Sequence, residues 1–199
     1  MKTLALLVSL LAATPLALAQ EELAPDVLVR KMTDEVLESI RRDKALQAGD
    51  RDRAVALAEE KVLPLIDFRQ MTRLAAGMLW RDATEAQRER LTAEFRAMLI
   101  RTYSKAIDVY RGQTMRVLPT RLRPDSSEAT VRNQYLRPGK PPVSIDYRMA
   151  RTPSGWKIID ITVEGISLAL TYRTEFNEEV RRSGIDGLLQ RMHDKNAGR

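Results

Sequence analysis

The chain has 199 residues, of which 44% are hydrophobic, so it is long enough for one domain with a substantial core. Aromatic residues make up only 5%, which argues against a base-stacking nucleic-acid module despite the net charge of +6. Cysteine is absent, which excludes disulfides and thiolate nucleophiles. His193 is the only histidine, and this argues against a Ser-His-Asp triad and a His-rich metal site.

Residues 1–19 have the pattern of a secretory signal peptide. Lys2 supplies the positive charge, an apolar stretch follows, and Ala17 to Ala19 fit the small-x-small cleavage rule. The apolar run is shorter than the roughly 20 residues that span a bilayer, which favours cleavage over an uncleaved anchor. We therefore expect an exported protein with a single domain over residues 20–199. In that compartment the basic charge suits an anionic membrane surface or an acidic partner better than nucleic acid.

The N-terminal half is predicted to be helical, because its apolar residues recur every three or four positions. Thr84 and Gln87 have the spacing of a capping box, which marks the start of the longest helix. In the second predicted helix, which ends at Pro64, Val55 and Ala58 are expected to point inward. The predicted helices run from Pro25 to about Leu46, then to a stop at Pro64, from Asp67 through Met78 and Leu79, and from Thr84 to Gly112.

After Gly112 the period of the apolar residues changes to two, which is typical of half-buried strands. The predicted strands are Thr114–Leu118, Ala129–Leu136, Val143–Ala150 and Lys157–Val163.

The period then returns to that of a helix. Ser167 is a candidate N-cap, Gly184 ends this helix, and Asp186 caps a short last one. The order of elements predicts an α+β fold, a four-stranded curved antiparallel sheet with helices on one face plus additional N-terminal helices.

Two carboxylates are the only candidates for catalysis. Asp160 and Glu164 are four residues apart on one strand, hence on the same face, and are a candidate acid–base pair of a small-molecule enzyme. The alternative is structural, with the carboxylates in solvent or with Glu164 bonded to backbone N–H groups at the following turn. Structural carboxylates are far commoner than catalytic ones, so we favour that alternative.

Methionine and tyrosine residues recur on the inward faces of the predicted helices and strands. These side chains adapt well to irregular apolar ligands, but they also pack into ordinary cores. The pattern therefore leaves open an apolar pocket or a filled core, and a filled core would suit a helical interaction module.

Seven segments in order resemble the MlaC family, the periplasmic phospholipid-binding proteins of the maintenance-of-lipid-asymmetry system, also called toluene-tolerance proteins. The resemblance covers about Val27 to Met192. The segments are V-L-P-L-I-D-F at 62–68, A-T-E-A-Q-R at 83–88, F-R-A-M-L-I-R-T-Y at 95–103, Y-R-G-Q-T at 110–114, W-K-I-I-D-I-T-V-E-G-I-S at 156–167, Y-R-T-E-F at 172–176 and G-I-D-G-L-L at 184–189.

The resemblance implies an NTF2-like fold and a deep apolar pocket that holds acyl chains. It also implies a periplasmic, non-enzymatic carrier that moves phospholipid between an outer-membrane lipoprotein–porin complex and an inner-membrane ABC transporter complex. We expect a monomer with no cofactor other than phospholipid as cargo, and no nucleic-acid partner. From the inward faces we predict these lipid-binding residues: Leu74, Met78, Phe95, Met98, Leu99, Tyr103, Val131, Tyr135, Ile145, Tyr147, Met149, Ile166 and Leu170.

Overall fold

The computed structural model describes residues 23–104, 112–123 and 125–198. The predicted signal peptide and residues 105–111 of the predicted fourth helix lie outside this range. The helices are α1 (Pro25–Arg42), α2 (Lys44–Gln47), α3 (Arg51–Lys61), α4 (Phe68–Ala76), α5 (Leu79–Asp82), α6 (Glu85–Ser104) and α7 (Leu168–Asn196), with a 3-10 turn at Leu63–Leu65. The strands are β1 (Thr114–Val117), β2 (Glu128–Leu136), β3 (Val143–Thr152), β4 (Gly155–Val163) and β5 (Ile166–Ser167).

The α+β prediction is confirmed, but the sheet has five strands instead of four. All neighbours are antiparallel, in the order β1-β2-β3-β4-β5. The fifth strand arises because Glu164 and Gly165 both adopt positive φ angles, 49° and 82°, and so make a tight turn after β4. A two-residue strand is too short to leave a period-two pattern in the sequence.

One face of the sheet is buried beneath the helices and the other is exposed. In β2, Ala129, Val131 and Asn133 are buried, whereas Thr130 and Arg132 are exposed between them. Along the buried face, Val131 pairs with Tyr147 of β3, which in turn pairs with Ile161 of β4. The inward residues of three strands therefore form one continuous apolar surface.

The helical layer is organised around the long helices α6 and α7. Phe95 of α6 is fully buried, and its ring makes edge-on contacts with Tyr172 at 5.1 Å and Phe176 at 5.4 Å. Such aromatic contacts add to the energy of burial, so this cluster fixes how the two helices pack.

Side-chain caps confirm three of the predicted helix starts. Gln87 N donates to Thr84 Oγ1 at 3.2 Å while Thr84 N donates to Gln87 Oε1 at 3.0 Å, which is the predicted capping box of α6. Asp67 accepts from Gln70 N at 2.8 Å, and Ser167 accepts from Leu170 N at 3.1 Å.

Two predicted helices are interrupted in the structure. Asp43 has extended backbone angles and caps α2, so the first predicted helix ends at Arg42. Gly77 has a φ of 60° and ends α4 before Met78. The prediction that Met78 points inward is therefore wrong, since the side chain lies outside the helical stripe and is 70% exposed.

Helix α7 is a helical hairpin that folds back at Gly184, where the φ of 71° confirms the predicted helix end. The two halves, residues 168–183 and 185–196, run antiparallel and are joined by ion pairs. Glu175 contacts Lys195 at 2.6 Å, and Glu179 contacts Arg191 at 2.6 Å. These pairs draw the end of the chain back along the first half of α7.

The tip of this hairpin is closely packed. A Cβ atom on Gly187 would lie 2.2 Å from Ser183 Oγ, so only glycine fits there. Asp186, predicted to cap the last helix, accepts a hydrogen bond from Gln87 Nε2 at 3.0 Å and thereby ties the hairpin to α6.

The Glu179 carboxylate makes the hairpin sensitive to acid. The hydrogen bond from Ser183 Oγ, with the charges of Arg191 and Arg182, outweighs burial and holds the pKa of Glu179 below its ordinary value of 4.5. A lowered pKa stabilises the fold above pH 4.5, and this contribution is lost as the pH falls through the folded-state pKa. We expect Glu179→Gln to lose less stability than the wild-type protein between pH 6 and pH 3. Urea unfolding at each pH measures this, and equal losses would contradict it.

Candidate functional site

An apolar cavity of about 320 Å³ lies between the buried face of the sheet and the helices. Each element around it contributes one to three side chains. The lining residues are Ala54, Val55 and Ala58 of α3, Leu63 and Ile66 after it, Phe68 and Met71 of α4, Leu99, Ile100 and Tyr103 of α6, Ile145 and Tyr147 of β3, Ile161 and Val163 of β4, and Leu168 of α7.

The burial of these residues shows which end of the cavity is open. Met71, Leu99 and Tyr147 are buried and form the inner end. Tyr103 is 45% exposed and lines the same cavity, so it marks the mouth. The cavity thus runs from solvent at the end of α6 towards the core.

The cavity has almost no polar chemistry. Among the described residues that line it, the two tyrosines carry the only polar side-chain groups. Burial raises the pKa of Tyr147 to about 12, so this phenol stays neutral, and its hydroxyl lies 4.0 Å from Met115 Sδ. Burial, with a smaller contribution from the neighbouring Tyr172, also raises the pKa of Tyr103. A neutral apolar lining of this kind suits a hydrocarbon ligand and offers nothing to a charged one.

The α3 wall differs from the others in two respects. Its cavity-facing side chains are small, since Ala54 and Ala58 flank Val55. It has no fully buried residue, and the ion pair between Glu59 and Arg96 that joins it to α6, at 3.6 Å, is exposed. Exposed ion pairs contribute little to stability, so this one does little to hold α3 against α6.

Four of the thirteen predicted lipid-binding residues line this cavity: Leu99, Tyr103, Ile145 and Tyr147. The other nine do not, and they fall into three groups by exposure. Phe95, Met98, Val131 and Met149 are buried in the core, Leu74 and Tyr135 are partly buried, and Met78, Ile166 and Leu170 are exposed. The role of all thirteen in lipid binding stays a prediction.

Of the eleven lining residues absent from the predicted site, five belong to α3 and the segment after it, and the others lie on α4, α6, β4 and α7. The apolar periodicity of α3 is weak because the helix is rich in alanine and charged residues. Leu63 and Ile66 lie outside the α-helices, at the 3-10 turn that follows. The continuous apolar run around Pro64 was the available signal. An apolar run in a connecting segment, with neither helix nor strand periodicity, indicates a surface that is buried against another part of the protein or a ligand.

The two carboxylates of the enzyme alternative have structural partners. Asp160 is buried and accepts hydrogen bonds from Ser167 Oγ at 2.5 Å and from Ala169 N at 3.1 Å, at the start of α7. Glu164 accepts a hydrogen bond from the backbone N–H of Ser144. Neither carboxylate lines the cavity. They hold the β4–β5 turn and the start of α7 in place, and the geometry does not favour an acid–base pair.

The part of the chain that the structure describes contains neither a metal-binding cluster nor a membrane-spanning helix. Over residues 23–104, 112–123 and 125–198, no group of three acidic or histidine side chains is placed to hold a metal ion. Within the same ranges, no helix combines the length and the apolar character that crossing a bilayer requires.

The fold and the cavity together define a class of protein, an α+β domain whose sheet and helices enclose a binding space for an apolar ligand. The sequence model of the MlaC protein family matches residues 30–194, and the chain belongs to this family.

Similar proteins include two curated relatives. The toluene tolerance protein ttg2D of Pseudomonas putida is 26% identical over 182 residues, which cover 90% of this chain and 83% of that protein. The intermembrane phospholipid transport system binding protein MlaC of Haemophilus influenzae is 20% identical over 174 residues, covering 86% and 81%.

A solved structure also resembles this fold closely. The phospholipid-binding protein from Ralstonia solanacearum, determined in complex with a phospholipid, superposes with a TM-score of 0.78 at 34% identity. The match covers 87% of this chain and 97% of that one. The architecture of the sheet and helices around the cavity is therefore that of a phospholipid-binding protein.

Proposed function

We propose that this protein is a phospholipid carrier that encloses acyl chains in the cavity between its sheet and helices. The observation that carries the proposal is the cavity itself, about 320 Å³ in volume, open at Tyr103 and lined by apolar and aromatic side chains. The family membership and the phospholipid in the Ralstonia solanacearum protein support the same ligand class.

The energetics of the cargo require a deep enclosure. Two acyl chains of about 16 carbons each, at about 0.8 kcal/mol per CH₂, cost roughly 25 kcal/mol to expose to water. Ligand pockets range from roughly 300 to 1,000 Å³, and this cavity lies at the small end of that range. A diacyl lipid therefore needs more room than the closed cavity offers, and outward movement of the α3 wall supplies it.

The same energy restricts how a soluble carrier acquires its cargo. Bare extraction of a lipid into water is too slow, and the sequence has no nucleotide-binding motif that would supply energy. We therefore propose that the protein works in the periplasm as a monomer and receives and delivers lipid while docked to membrane complexes. An outer-membrane lipoprotein–porin complex and an inner-membrane ABC transporter complex are the partners that the family resemblance implies.

Native mass spectrometry of the gently purified protein tests the central claim. We expect a mass shift equal to one or more phospholipids, and organic extracts should contain the same lipid. Delipidated protein incubated with detergent-solubilised phospholipid and re-isolated should regain it, because no lipid then has to leave a bilayer. Absence of phospholipid from both preparations would contradict the carrier proposal, because retention of lipid that is already bound requires no partner protein.

A further inference from the structure

A second groove, with a polar lining, lies beside β2. It has a volume of about 600 Å³ and is bounded by β2 and the segment that follows β1. The β1 ladder ends at the pair Val117 and Asn133, so the first part of β2 pairs only with β3 and the groove occupies the space on its other side. We call it the arginine groove, after its lining residues Arg121, Arg123 and Arg132.

The three arginine residues of the groove are exposed. Within residues 23–104, 112–123 and 125–198, none of them makes an ion pair or a hydrogen bond through its side chain. Glu128 is the acidic residue that lines the groove, and its carboxylate is already held by Arg148 at 2.8 Å. Asp146 lies opposite Arg132 in the strand register, but it accepts its hydrogen bond from Ser144 instead.

The arginine groove is separate from the cargo site. It shares no lining residue with the lipid cavity. Thr130 and Arg132 belong to the exposed face of β2, whereas Val131 between them belongs to the buried face that leads to the cavity. Arg132 therefore presents its side chain on the face of the sheet that does not carry the cavity.

We propose that the arginine groove is a docking site for an acidic segment of a partner protein. Arginine binds carboxylates through two parallel hydrogen bonds, which makes it well suited to reading such a segment. Thr120 also lines the groove, and its Oγ1 is buried and without a hydrogen-bond partner in the described residues.

The shape and surroundings of the groove favour a protein segment over a membrane surface. A groove receives a protruding chain, whereas a bilayer presents a broad surface. Basic membrane-binding surfaces also combine their charge with apolar side chains that insert into the lipid. Among the described residues, none of the large exposed apolar side chains lines the groove; these are Leu23, Val27, Met78, Tyr103, Ile166 and Leu170.

The test compares two triple variants of the protein that carry the same net charge. The groove variant is Arg121→Gln, Arg123→Gln and Arg132→Gln. The control variant is Arg51→Gln, Arg90→Gln and Arg181→Gln, at exposed arginines outside the groove. Binding of a fluorescein-labelled oligoglutamate peptide is followed by anisotropy, and binding to vesicles of phosphatidylglycerol and phosphatidylcholine in equal parts by sedimentation.

We expect the groove variant to bind the peptide about tenfold more weakly than the wild-type protein, the scale of three exposed ion pairs. The control variant should lose less than twofold, and both should retain phospholipid like the wild type. Equal losses in both variants would overturn the proposal, because net charge alone would then explain binding. Loss of vesicle binding without loss of peptide binding would also overturn it and assign the groove to a membrane.

Discussion

Replacing Ala58 by leucine is expected to weaken phospholipid binding by roughly 50-fold. Ala58 lies on the α3 wall of the cavity, and the substitution adds three carbon atoms to a space of about 320 Å³. These displace about three methylene groups of the cargo, at about 0.8 kcal/mol each, which gives about 2.4 kcal/mol and roughly 50-fold in affinity. Titration of the delipidated protein with a fluorescent phospholipid analogue measures the change.

Ala56 offers a matched control for this substitution on the same helix. Its side chain is exposed and does not line the cavity. Ala56→Leu changes helix propensity as Ala58→Leu does, but it leaves the cavity unchanged, so we expect the affinity to stay within twofold of wild type. Similar losses in both variants would mean that α3 does not form a wall of the lipid site. No loss in either would mean that α3 moves far enough outward to accommodate the larger side chain.

The sequence predicts which residues line the cavity better for the strands than for the helices. Alternation along β3 correctly places Ile145 and Tyr147 on the inward face, because strand geometry leaves only two choices for each side chain. The helices are harder, since the inward stripe of a long helix is wide enough to contact several neighbours. On α6, Phe95 and Leu99 are one turn apart on the same stripe, yet only Leu99 lines the cavity.

Tertiary packing decides why Leu99 lines the cavity and Phe95 does not. Helix α7 folds over the first part of α6, so Phe95 meets the rings of Tyr172 and Phe176. Further along α6, Tyr103 still neighbours Tyr172 of α7, whereas Leu99 and Ile100 line the cavity together with small side chains of α3 that leave the space unfilled. Which helix covers which turn depends on the hairpin at Gly184 and on the course of the chain through Pro64. Local periodicity carries information about neither of these.

Replacing Phe95 by alanine is expected to destabilise the lipid-free protein by about 3–5 kcal/mol, the usual cost of deleting a buried aromatic ring. Phe95 is fully buried, and its removal leaves a void between Tyr172 and Phe176. Because the ring does not line the cavity, the variant that remains folded should bind phospholipid with close to wild-type affinity. Urea unfolding of delipidated protein gives the stability, since bound lipid would otherwise stabilise the folded state.

Tyr103→Ala on the same helix should behave in the opposite way. Tyr103 is 45% exposed at the mouth of the cavity, so its truncation costs little stability but removes part of the surface that covers the acyl chain. The two variants together separate the core of α6 from its lipid-binding end. If Phe95→Ala lowers lipid affinity while its unfolding free energy stays near that of the wild type, the cavity extends further along α6 than the structure places it. The original assignment of Phe95 to the lipid site would then be correct.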